Sequence, residues 1–207
     1  MPTEGPTKVL ITGFAPFVAA PVNPSWQAAK MVEAAPPPGL DVTAVEISCV
    51  FGTAIEELRK AVAEVDPFLV LCTGQAGGRP DLSVERIAIN LNDAIDIPDS
   101  EGNEPMEEPV IPGAPAAYFA SVPVKACVQA ARDAGVPASL SRNINTFICN
   151  HLFYGLTHLI ATERPHMRGG CVHVPYAPNQ VTQQSLPSMS ITDMATGFAA
   201  ILSAAVL

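Results

Sequence analysis

The chain has 207 residues, of which 48% are hydrophobic and 15% charged, and its formal net charge is −9 at pH 7. A chain of this length suffices for one domain that buries its own core, so we expect a single domain over residues 1–207. The negative charge argues against nucleic-acid binding, which relies on clustered Lys and Arg, and no uninterrupted run reaches the roughly 18 apolar residues of a membrane span.

Strand and helix patterns alternate along most of the sequence. Apolar runs predict strands over Lys8–Gly13, Val42–Ile47, Phe68–Cys72, Glu85–Leu91 and Gly170–Pro175. Helical periodicity predicts helices over Pro24–Glu33, Phe51–Val65, Lys125–Ala134, His151–Thr162 and Thr192–Ala205. The first of these helices has Asn23 as its predicted N-cap and Pro24 at its first position. The segment from Ile97 to Pro115 is acidic and rich in Pro and Gly, which predicts a mobile surface loop that could cover a site.

This order of elements predicts an α/β fold, a three-layer sandwich in which helices cover both faces of a largely parallel sheet. In such sheets, ligands bind beyond the carboxyl ends of the strands. The loops that begin at Gly13 and Gly74 leave strand ends of that kind, so we expect a site near them.

The cysteine count and the first residues bear on the compartment. There are five cysteines and no Cys-x-x-Cys pair, which predicts reduced thiols rather than a disulfide framework or a zinc site. The segment Met1–Pro6 lacks a basic stretch followed by an apolar one, so we expect no secretory signal and a cytoplasmic protein. We expect no metal and no cofactor.

The segment Thr146–Gly155 carries the clearest chemical signal, because it places Cys149 at the first turn of a predicted helix. Backbone N–H groups and the positive end of the helix dipole stabilise a thiolate there, so we expect a lowered thiol pKa and a nucleophile. A thiolate needs an imidazole that transfers protons and a third group that holds the imidazole. His173, in the predicted strand Gly170–Pro175, and Glu85, at the start of another, are candidates for these roles.

Four blocks of residues resemble the motifs of the pyroglutamyl peptidase family, also called pyrrolidone carboxyl peptidases, over nearly the whole chain. They are Thr12–Phe17 with Asn23–Ser25, Gly74–Arg79, Glu85–Asn90 and Cys149–Tyr154, and His173–Pro175 follows at the expected distance. The resemblance implies a phosphorylase/hydrolase-like α/β domain with a twisted mixed sheet, and usually a homotetramer. It also implies a cysteine exopeptidase that removes N-terminal pyroglutamate (5-oxoproline) from peptides through a thioacyl-enzyme intermediate. Cys149 is then the nucleophile, His173 the general base and acid, and Glu85 the group that orients His173.

The substrate pocket must suit pyroglutamate, a small neutral lactam, so it needs apolar walls and a few polar partners. The resemblance makes Phe14 and Phe17 such walls and gives Gln75 a place beside the lactam amide. It also makes Asn23, Phe147 and Ile148 substrate-binding residues. For the oxyanion we expect the N–H of Cys149 and backbone N–H groups of the Gly77–Arg79 turn as donors.

Two departures from the family pattern stand out. No Arg follows the Glu85 block near Ile95, so its contribution must come from Arg79 or Arg86, or be absent. Val18 and Ala19 replace the usual Gly-Gly after the second Phe, which predicts a stiffer loop. The sequence leaves open what replaces that Arg, the preferred residue after pyroglutamate, the physiological peptide and the oligomer geometry.

Structural alternatives accompany these assignments. Cys149 and His173 would otherwise be core residues, Glu85 an ion-pair partner of Arg86, and Phe14 with Phe17 core aromatics. The pair His151 and His158 lies on one helical face, but without a carboxylate at ligand spacing it is interpreted as structural. We interpret the remaining cysteines as core residues: Cys49, Cys72, Cys127 and Cys171. Two other functions stay open: a related thiol or serine hydrolase that acts on cyclic amides, and a catalytically idle module that binds lactam-ended peptides.

Overall fold

A six-stranded sheet lies at the centre of the computed structural model, which describes residues 5–17, 22–94, 97–141 and 144–207. Its strands are β1 (Thr7–Phe14), β2 (Leu40–Ile47), β3 (Leu69–Gln75), β4 (Leu82–Val84), β7 (Ala138–Leu140) and β8 (Arg168–Val174). The spatial order is β2-β1-β3-β8-β4-β7, and every described pair is parallel except β4 with β8. Two further strands, β5 (Ile87–Ile89) and β6 (Ala117–Phe119), form a separate antiparallel pair.

Helices cover both faces of the sheet. They are α1 (Pro24–Ala34), α2 (Thr53–Val65), α3 (Val124–Asp133), α4 (Ile148–Thr162) and α5 (Ile191–Ala205), with a short 3₁₀ turn at Pro178–Gln180. One buried apolar cluster joins α1, α3 and α5 to the sheet, and a second joins α2 and α4 to its other face. The predicted three-layer α/β sandwich with a mostly parallel sheet is therefore confirmed.

Strand periodicity decides which side chains meet which helices. In β1, Val9 and Ile11 belong to the cluster under α1 and α5, whereas Leu10 and Phe14 belong to the cluster under α2 and α4. Successive side chains of a strand point to opposite faces, so a strand buried on both faces is a continuous apolar run. This is why the apolar run within Lys8–Gly13 predicts a buried strand.

The start of α1 follows the predicted capping pattern. Asn23 has an extended backbone and its side chain accepts a hydrogen bond from the Ser25 N–H, while Pro24 occupies the first position. The start of α2 differs from the prediction, because the helix begins at Thr53 rather than Phe51. Gly52 precedes it with φ of 79°, a conformation that glycine adopts easily.

The predicted strand Glu85–Leu91 is correct only over Ile87–Ile89, which form β5, and Glu85 belongs to neither β4 nor β5. Glu85 follows β4 and still donates its N–H to the Cys171 carbonyl across the main sheet, 2.9 Å away. The chain then leaves that sheet, and Ile87–Ile89 pairs with the three residues of β6 instead. The strands β4, β6 and β7 have only three residues each, which is too short to produce a visible alternation in the sequence.

The segment 97–115 forms a loop, as predicted, and hydrogen bonds fix it at two points. The Asp99 carboxylate accepts bonds from the N–H groups of Phe51, Glu101 and Asn103. Farther along, the Asn90 side chain accepts from the Ile111 N–H and donates to the Ile111 carbonyl. Among the described residues, no helix has the length and apolar character needed to cross a membrane.

Candidate active site

The period of the strands brings the candidate residues to one face of the sheet, beneath α4. In β8, Cys171 faces the α2 and α4 side, so His173, two residues later, faces the same side. In β4, Leu82 and Val84 face the opposite side, which leaves Glu85 directed toward the side of His173. Because β4 and β8 are antiparallel with Ser83 opposite His173, Glu85 lies diagonally across the ladder from His173.

His173 and Glu85 are in hydrogen-bond contact. The distance from His173 Nδ1 to Glu85 Oε1 is 2.7 Å, and both side chains are almost fully buried. When Nδ1–H donates to the carboxylate, Nε2 is left as the acceptor on the other edge of the ring. This is the tautomer that a general base needs in order to take a proton from a thiol.

Arg79 holds the same carboxylate oxygen. Its Nη1 lies 2.9 Å from Glu85 Oε1 and 3.4 Å from the Ser141 hydroxyl oxygen. Burial raises the pKa of Glu85, but hydrogen bonds from His173 and Ser141 and the nearby Arg79 charge outweigh it, so the net shift of the pKa is downward. Glu85 is therefore a carboxylate at neutral pH.

Cys149 is the second residue of α4, at the amino end of that helix. Its sulfur lies over Gly74 of β3: a Cβ built on Gly74 would be only 2.6 Å from Cys149 Sγ. Gly74 in turn pairs in register with His173. The absence of a side chain at Gly74 thus leaves the space in which the sulfur sits, next to the strand that carries the imidazole.

The pKa of Cys149 is shifted in the direction opposite to the sequence prediction. Burial raises the pKa of the thiol well above its ordinary value, and the Glu85 carboxylate acts in the same direction, while Arg79 opposes it. This shift favours the thiol over the thiolate, so the site does not show the lowered pKa that the helix terminus alone would produce.

Two cavities meet at Cys149. The smaller, of about 310 Å³, is lined by Cys149 together with His173, Gln75 and Arg79. The larger, of about 980 Å³, has in its wall Cys149 and all six predicted substrate-binding residues: Phe14, Phe17, Asn23, Gln75, Phe147 and Ile148. The ring of Phe147 lies 5.4 Å from that of Phe17. The described residues that line the larger cavity are uncharged.

Asn23 has a structural role as well as a place in the cavity wall. Its Oδ1 accepts from the Ser25 N–H and hydroxyl, and its Nδ2 donates to the Ala15 carbonyl. These bonds tie the start of α1 to the loop that carries Phe14 and Phe17. Asn23 therefore shapes the pocket even before any contact with a ligand.

The expected oxyanion donors are reduced in number. The Arg79 N–H donates to the Ala76 carbonyl at 3.4 Å within the turn, so this predicted donor is engaged. Gly77 lines both cavities, and Cys149 lies within the first turn of α4, where N–H groups have no intrahelical acceptor. Gly78 lines neither cavity, so the N–H groups of Gly77 and Cys149 remain the candidates.

The cavity wall also contains residues that the sequence analysis did not predict as site residues. Cys49 was interpreted as a core residue, and Ile97 begins the loop that was expected to cover a site. The additional lining residues are Val22, Cys49, Ile97, Tyr176, Asn179, Gln180 and Gln184. The one sequence signal for the residues after β8 is the pair Pro178-Asn179, which is typical of a turn and places this segment at the carboxyl end of the strand.

The other singled-out residues have structural surroundings. His151 is buried, with Nδ1 3.0 Å from Asn92 Oδ1, while Nε2 accepts from the Gly52 N–H at 2.9 Å. His158 Nδ1 lies 3.0 Å from the Tyr118 hydroxyl. Among the described residues, no group of three or more His, Cys, Asp or Glu side chains has an arrangement that would hold a metal ion.

The structure bears on the missing Arg near Ile95 only through the other arginines, and it does not describe the Val18-Ala19 pair. Arg86 lines a separate surface cavity with Phe119 and Lys125, so among the described residues Arg79 is the arginine that lines the site and pairs with Glu85. Ile95, Val18 and Ala19 lie outside the described residues. All five cysteines are free thiols, and Cys149 is the least buried of them.

A mostly parallel α/β sheet with a thiol, an imidazole and a carboxylate beneath one helix defines this protein as a thiol hydrolase of the α/β class. The chain belongs to the pyroglutamyl peptidase family, whose sequence model matches residues 7–206.

Individual relatives agree with this membership. The chain is 58% identical to the pyrrolidone-carboxylate peptidase of Streptomyces coelicolor, over 96% of this chain and 92% of the relative. It is 49% identical to pyrrolidone-carboxylate peptidase 2 of Photorhabdus laumondii, over 91% and 86% of the two chains.

Solved structures agree as well. The crystal structure of pyroglutamyl peptidase I from Bacillus amyloliquefaciens superposes with a TM-score of 0.94 at 43% identity, over 98% of this chain and 96% of that one. A mutant pyrrolidone carboxyl peptidase from Pyrococcus furiosus gives a TM-score of 0.92 at 35% identity, over 97% and 98%.

Proposed function

We propose that this chain is a cysteine exopeptidase that cleaves pyroglutamate from the amino end of peptides. Membership of the pyroglutamyl peptidase family supports the reaction. One observation supports Cys149 as the nucleophile. It lies where two cavities meet: His173 also lines the smaller one, and the described residues that line the larger one are uncharged. Such an arrangement suits a nucleophile that faces its base on one side and a neutral ring on the other.

The first half of the reaction forms the thioacyl enzyme. Cys149 Sγ attacks the carbonyl carbon that joins pyroglutamate to the next residue, while His173 Nε2 takes the thiol proton. Glu85 stabilises the resulting imidazolium through the bond at 2.7 Å. The oxyanion accepts bonds from backbone N–H groups, for which Cys149 and Gly77 are the candidates. His173 then protonates the leaving amine, and the C–N bond breaks.

The second half releases the lactam acid. His173, neutral again, takes a proton from a water molecule that attacks the thioester carbonyl. The C–S bond breaks, pyroglutamate leaves, and the proton returns to Cys149. The same three side chains thus serve both halves, so the loss of any one of them affects both.

Specificity follows from the uncharged cavity. An ordinary amino terminus is a cation, and the described residues that line the cavity include no carboxylate, so none of them offsets the cost of its desolvation with an ion pair. Pyroglutamate is neutral, and its flat ring fits between the aromatic rings of Phe14, Phe17 and Phe147. The cavity volume of about 980 Å³ exceeds the needs of one ring, so the following residues of the peptide fit as well.

The test is an assay of three amides that share one leaving group: pyroglutamyl, prolyl and glutaminyl. We expect cleavage of the pyroglutamyl amide and at most trace cleavage of the other two. Ring opening of free lactams without peptide cleavage would instead favour a cyclic-amide hydrolase. Binding of the pyroglutamyl amide without turnover would favour an idle binding module.

We also propose that the whole chain 1–207 is one catalytic domain that acts in the cytoplasm as a homo-oligomer, a tetramer by family resemblance. Five free thiols suit a reducing compartment. Light scattering after size-exclusion chromatography measures the assembly directly. A monomer at the concentration used in the assay would contradict the oligomer.

A further inference from the structure

We propose that Gln180 is a positioning residue that fixes the orientation of the Gln75 side-chain amide, so that Gln75 offers the substrate a hydrogen-bond donor. This inference rests on the proposed function, because the acceptor it assigns is the ring carbonyl oxygen of pyroglutamate. It adds a residue from the segment after β8 to the determinants of specificity.

The orientation of Gln180 itself follows from a backbone contact. Gln180 ends the 3₁₀ turn, and its Oε1 lies 2.8 Å from the Ala177 backbone nitrogen. A backbone N–H can only donate, so Gln180 must turn its carbonyl oxygen toward Ala177. Its Nε2 is then on the opposite side of the amide.

The Gln180 amide nitrogen in turn determines Gln75. Nε2 of Gln180 lies 3.2 Å from Gln75 Oε1 and 3.5 Å from the Val22 carbonyl oxygen. An amide NH₂ can only donate, so Gln75 must turn its oxygen to Gln180. The NH₂ of Gln75 is then not used by Gln180, and it is the group with which Gln75 can donate to a ligand.

Gln75 is well placed to use that donor. It is the last residue of β3 and lines both cavities that meet at Cys149. Its backbone position is fixed, because the next residue, Ala76, donates its N–H to the Val174 carbonyl at 2.9 Å. The Ala177 N–H can only donate, so through Gln180 it fixes which end of the Gln75 side-chain amide faces the substrate cavity.

A hydrogen-bond donor on the Gln75 side chain discriminates between pyroglutamate and proline. The pyroglutamate ring has a carbonyl oxygen that accepts from the Gln75 NH₂. A prolyl ring has no carbonyl, and its NH₂⁺ group is a donor that cannot pair with another donor. The orientation of one amide therefore favours the lactam over the otherwise similar proline.

The test compares Gln180→Glu with Gln180→Met. A glutamate keeps the bond to the Ala177 N–H, but its second oxygen accepts from Gln75, which must then turn its own oxygen to the cavity. A methionine removes both bonds and leaves Gln75 able to take either orientation. We expect KM for a pyroglutamyl amide to rise roughly 10- to 100-fold in Gln180→Glu, and less in Gln180→Met, with kcat within a few-fold.

A binding measurement accompanies the kinetics. The inhibition constant of 2-pyrrolidone, which contains the lactam ring alone, should weaken in parallel with KM. Exposed Gln183 provides the matched control, because Gln183→Glu adds the same charge to the same segment and should change neither quantity. In a Gln75→Leu background, Gln180→Glu should have no further effect, since the amide it reorients is gone.

Two results would overturn the inference. A purely structural role for Gln180 predicts the reverse ranking, with Gln180→Met worse than Gln180→Glu, because only the methionine loses the bond to Ala177. Additive effects of the substitutions at Gln75 and Gln180 would also contradict it. Failure of the proposed function has a different signature, since the wild-type protein would then not cleave the pyroglutamyl amide, whether or not it binds 2-pyrrolidone.

Discussion

At the scale of single residues, Cys149 experiences two opposing influences. The amino end of α4 favours a thiolate, whereas burial and the Glu85 carboxylate favour the thiol, and the net pKa shift is upward. The ultraviolet absorbance of a thiolate should therefore show no contribution from Cys149 at neutral pH, when wild type is compared with Cys149→Ser. A clear difference between the two spectra at neutral pH would instead show that Cys149 is a thiolate before substrate binds.

Removal of the Cys149 sulfur tests the nucleophile. We expect Cys149→Ser to lose activity by several orders of magnitude with an unchanged fold, because a hydroxyl is a far weaker nucleophile. Iodoacetamide should label Cys149 first, since it is half-buried while the other four cysteines are at most 3% exposed. Mass spectrometry of the labelled protein identifies the site. Near-normal turnover by Cys149→Ala would contradict the peptidase function.

The pair of His173 and Glu85 should respond unequally to substitution. Glu85→Gln keeps an oxygen for His173 Nδ1 but removes the charge that stabilises the imidazolium, so we expect a loss of about 100-fold in kcat/KM. His173→Ala removes the base and should cost at least about 10,000-fold. Equal, mild losses would mean that neither side chain acts as proposed.

Sequence reasoning proposed these site residues through motifs and named Arg79 as one candidate for the missing Arg, but it did not predict the pairing of Arg79 with Glu85 or of Gln180 with Gln75. Cys149, His173 and Glu85 are recognisable because their residue types are chemically required and occur in ordered blocks. Arg79 and Gln180 act through hydrogen bonds across 6 and 105 positions of the sequence, to Glu85 and Gln75. Only the folded chain shows such distant pairings, and an amide orientation leaves no trace in a sequence.

At the scale of elements, the site depends on the close approach of α4 to β3. A methyl group at Gly74 would meet the Cys149 sulfur at 2.6 Å, and rotation of that side chain would relieve the contact. We therefore expect Gly74→Ala to lose activity on the order of 100-fold with little change in unfolding free energy. Gly5→Ala is the matched control, because a Cβ at Gly5 meets nothing within 4 Å. Full activity of Gly74→Ala would show that the sulfur position is not critical.

The loop 97–115 allows a second prediction at this scale. Asp99 already fixes the N–H groups of Phe51, Glu101 and Asn103, so these amides should exchange slowly even without a ligand. Ile97 lines the substrate cavity, so 2-pyrrolidone should slow exchange chiefly around residue 97. Hydrogen exchange with and without saturating ligand measures both. Unchanged protection would leave the loop without a role in closing the pocket.

The elements show where sequence patterns suffice. The long strands β1 and β3 and the five helices were predictable because each has enough residues for a period to appear. Glu85 was assigned to the wrong element because the chain changes sheets within three residues, between Val84 and Ile87. Pairing of three-residue strands is decided by the surrounding fold, and local sequence carries little information about it.

At the scale of the whole molecule, stability should depend on pH through His151. Burial lowers the pKa of His151 from 6.5 to about 4. Its Nδ1 lies against Asn92 and its Nε2 accepts from the Gly52 N–H, so a second ring proton would also displace that bond. Between these two pKa values the unfolded chain binds more protons than the folded chain, so stability falls as pH falls through this window. The loss amounts to about 3 kcal/mol at the lower end. The carboxylates of Glu85 and Asp99, with lowered pKa values, add their losses only at lower pH.

The measurement is the unfolding free energy in urea at a series of pH values from neutral to mildly acidic. His151→Gln keeps one donor and one acceptor but does not titrate, so its stability should vary less with pH in this range. Exposed His166 gives the control His166→Gln, which should keep the wild-type dependence. The same slope in His151→Gln as in wild type would show that other groups destabilise the fold in acid. In that case protonation of His151, which would break its bond to the Gly52 N–H between α4 and the start of α2, would not be the cause of the acid destabilisation.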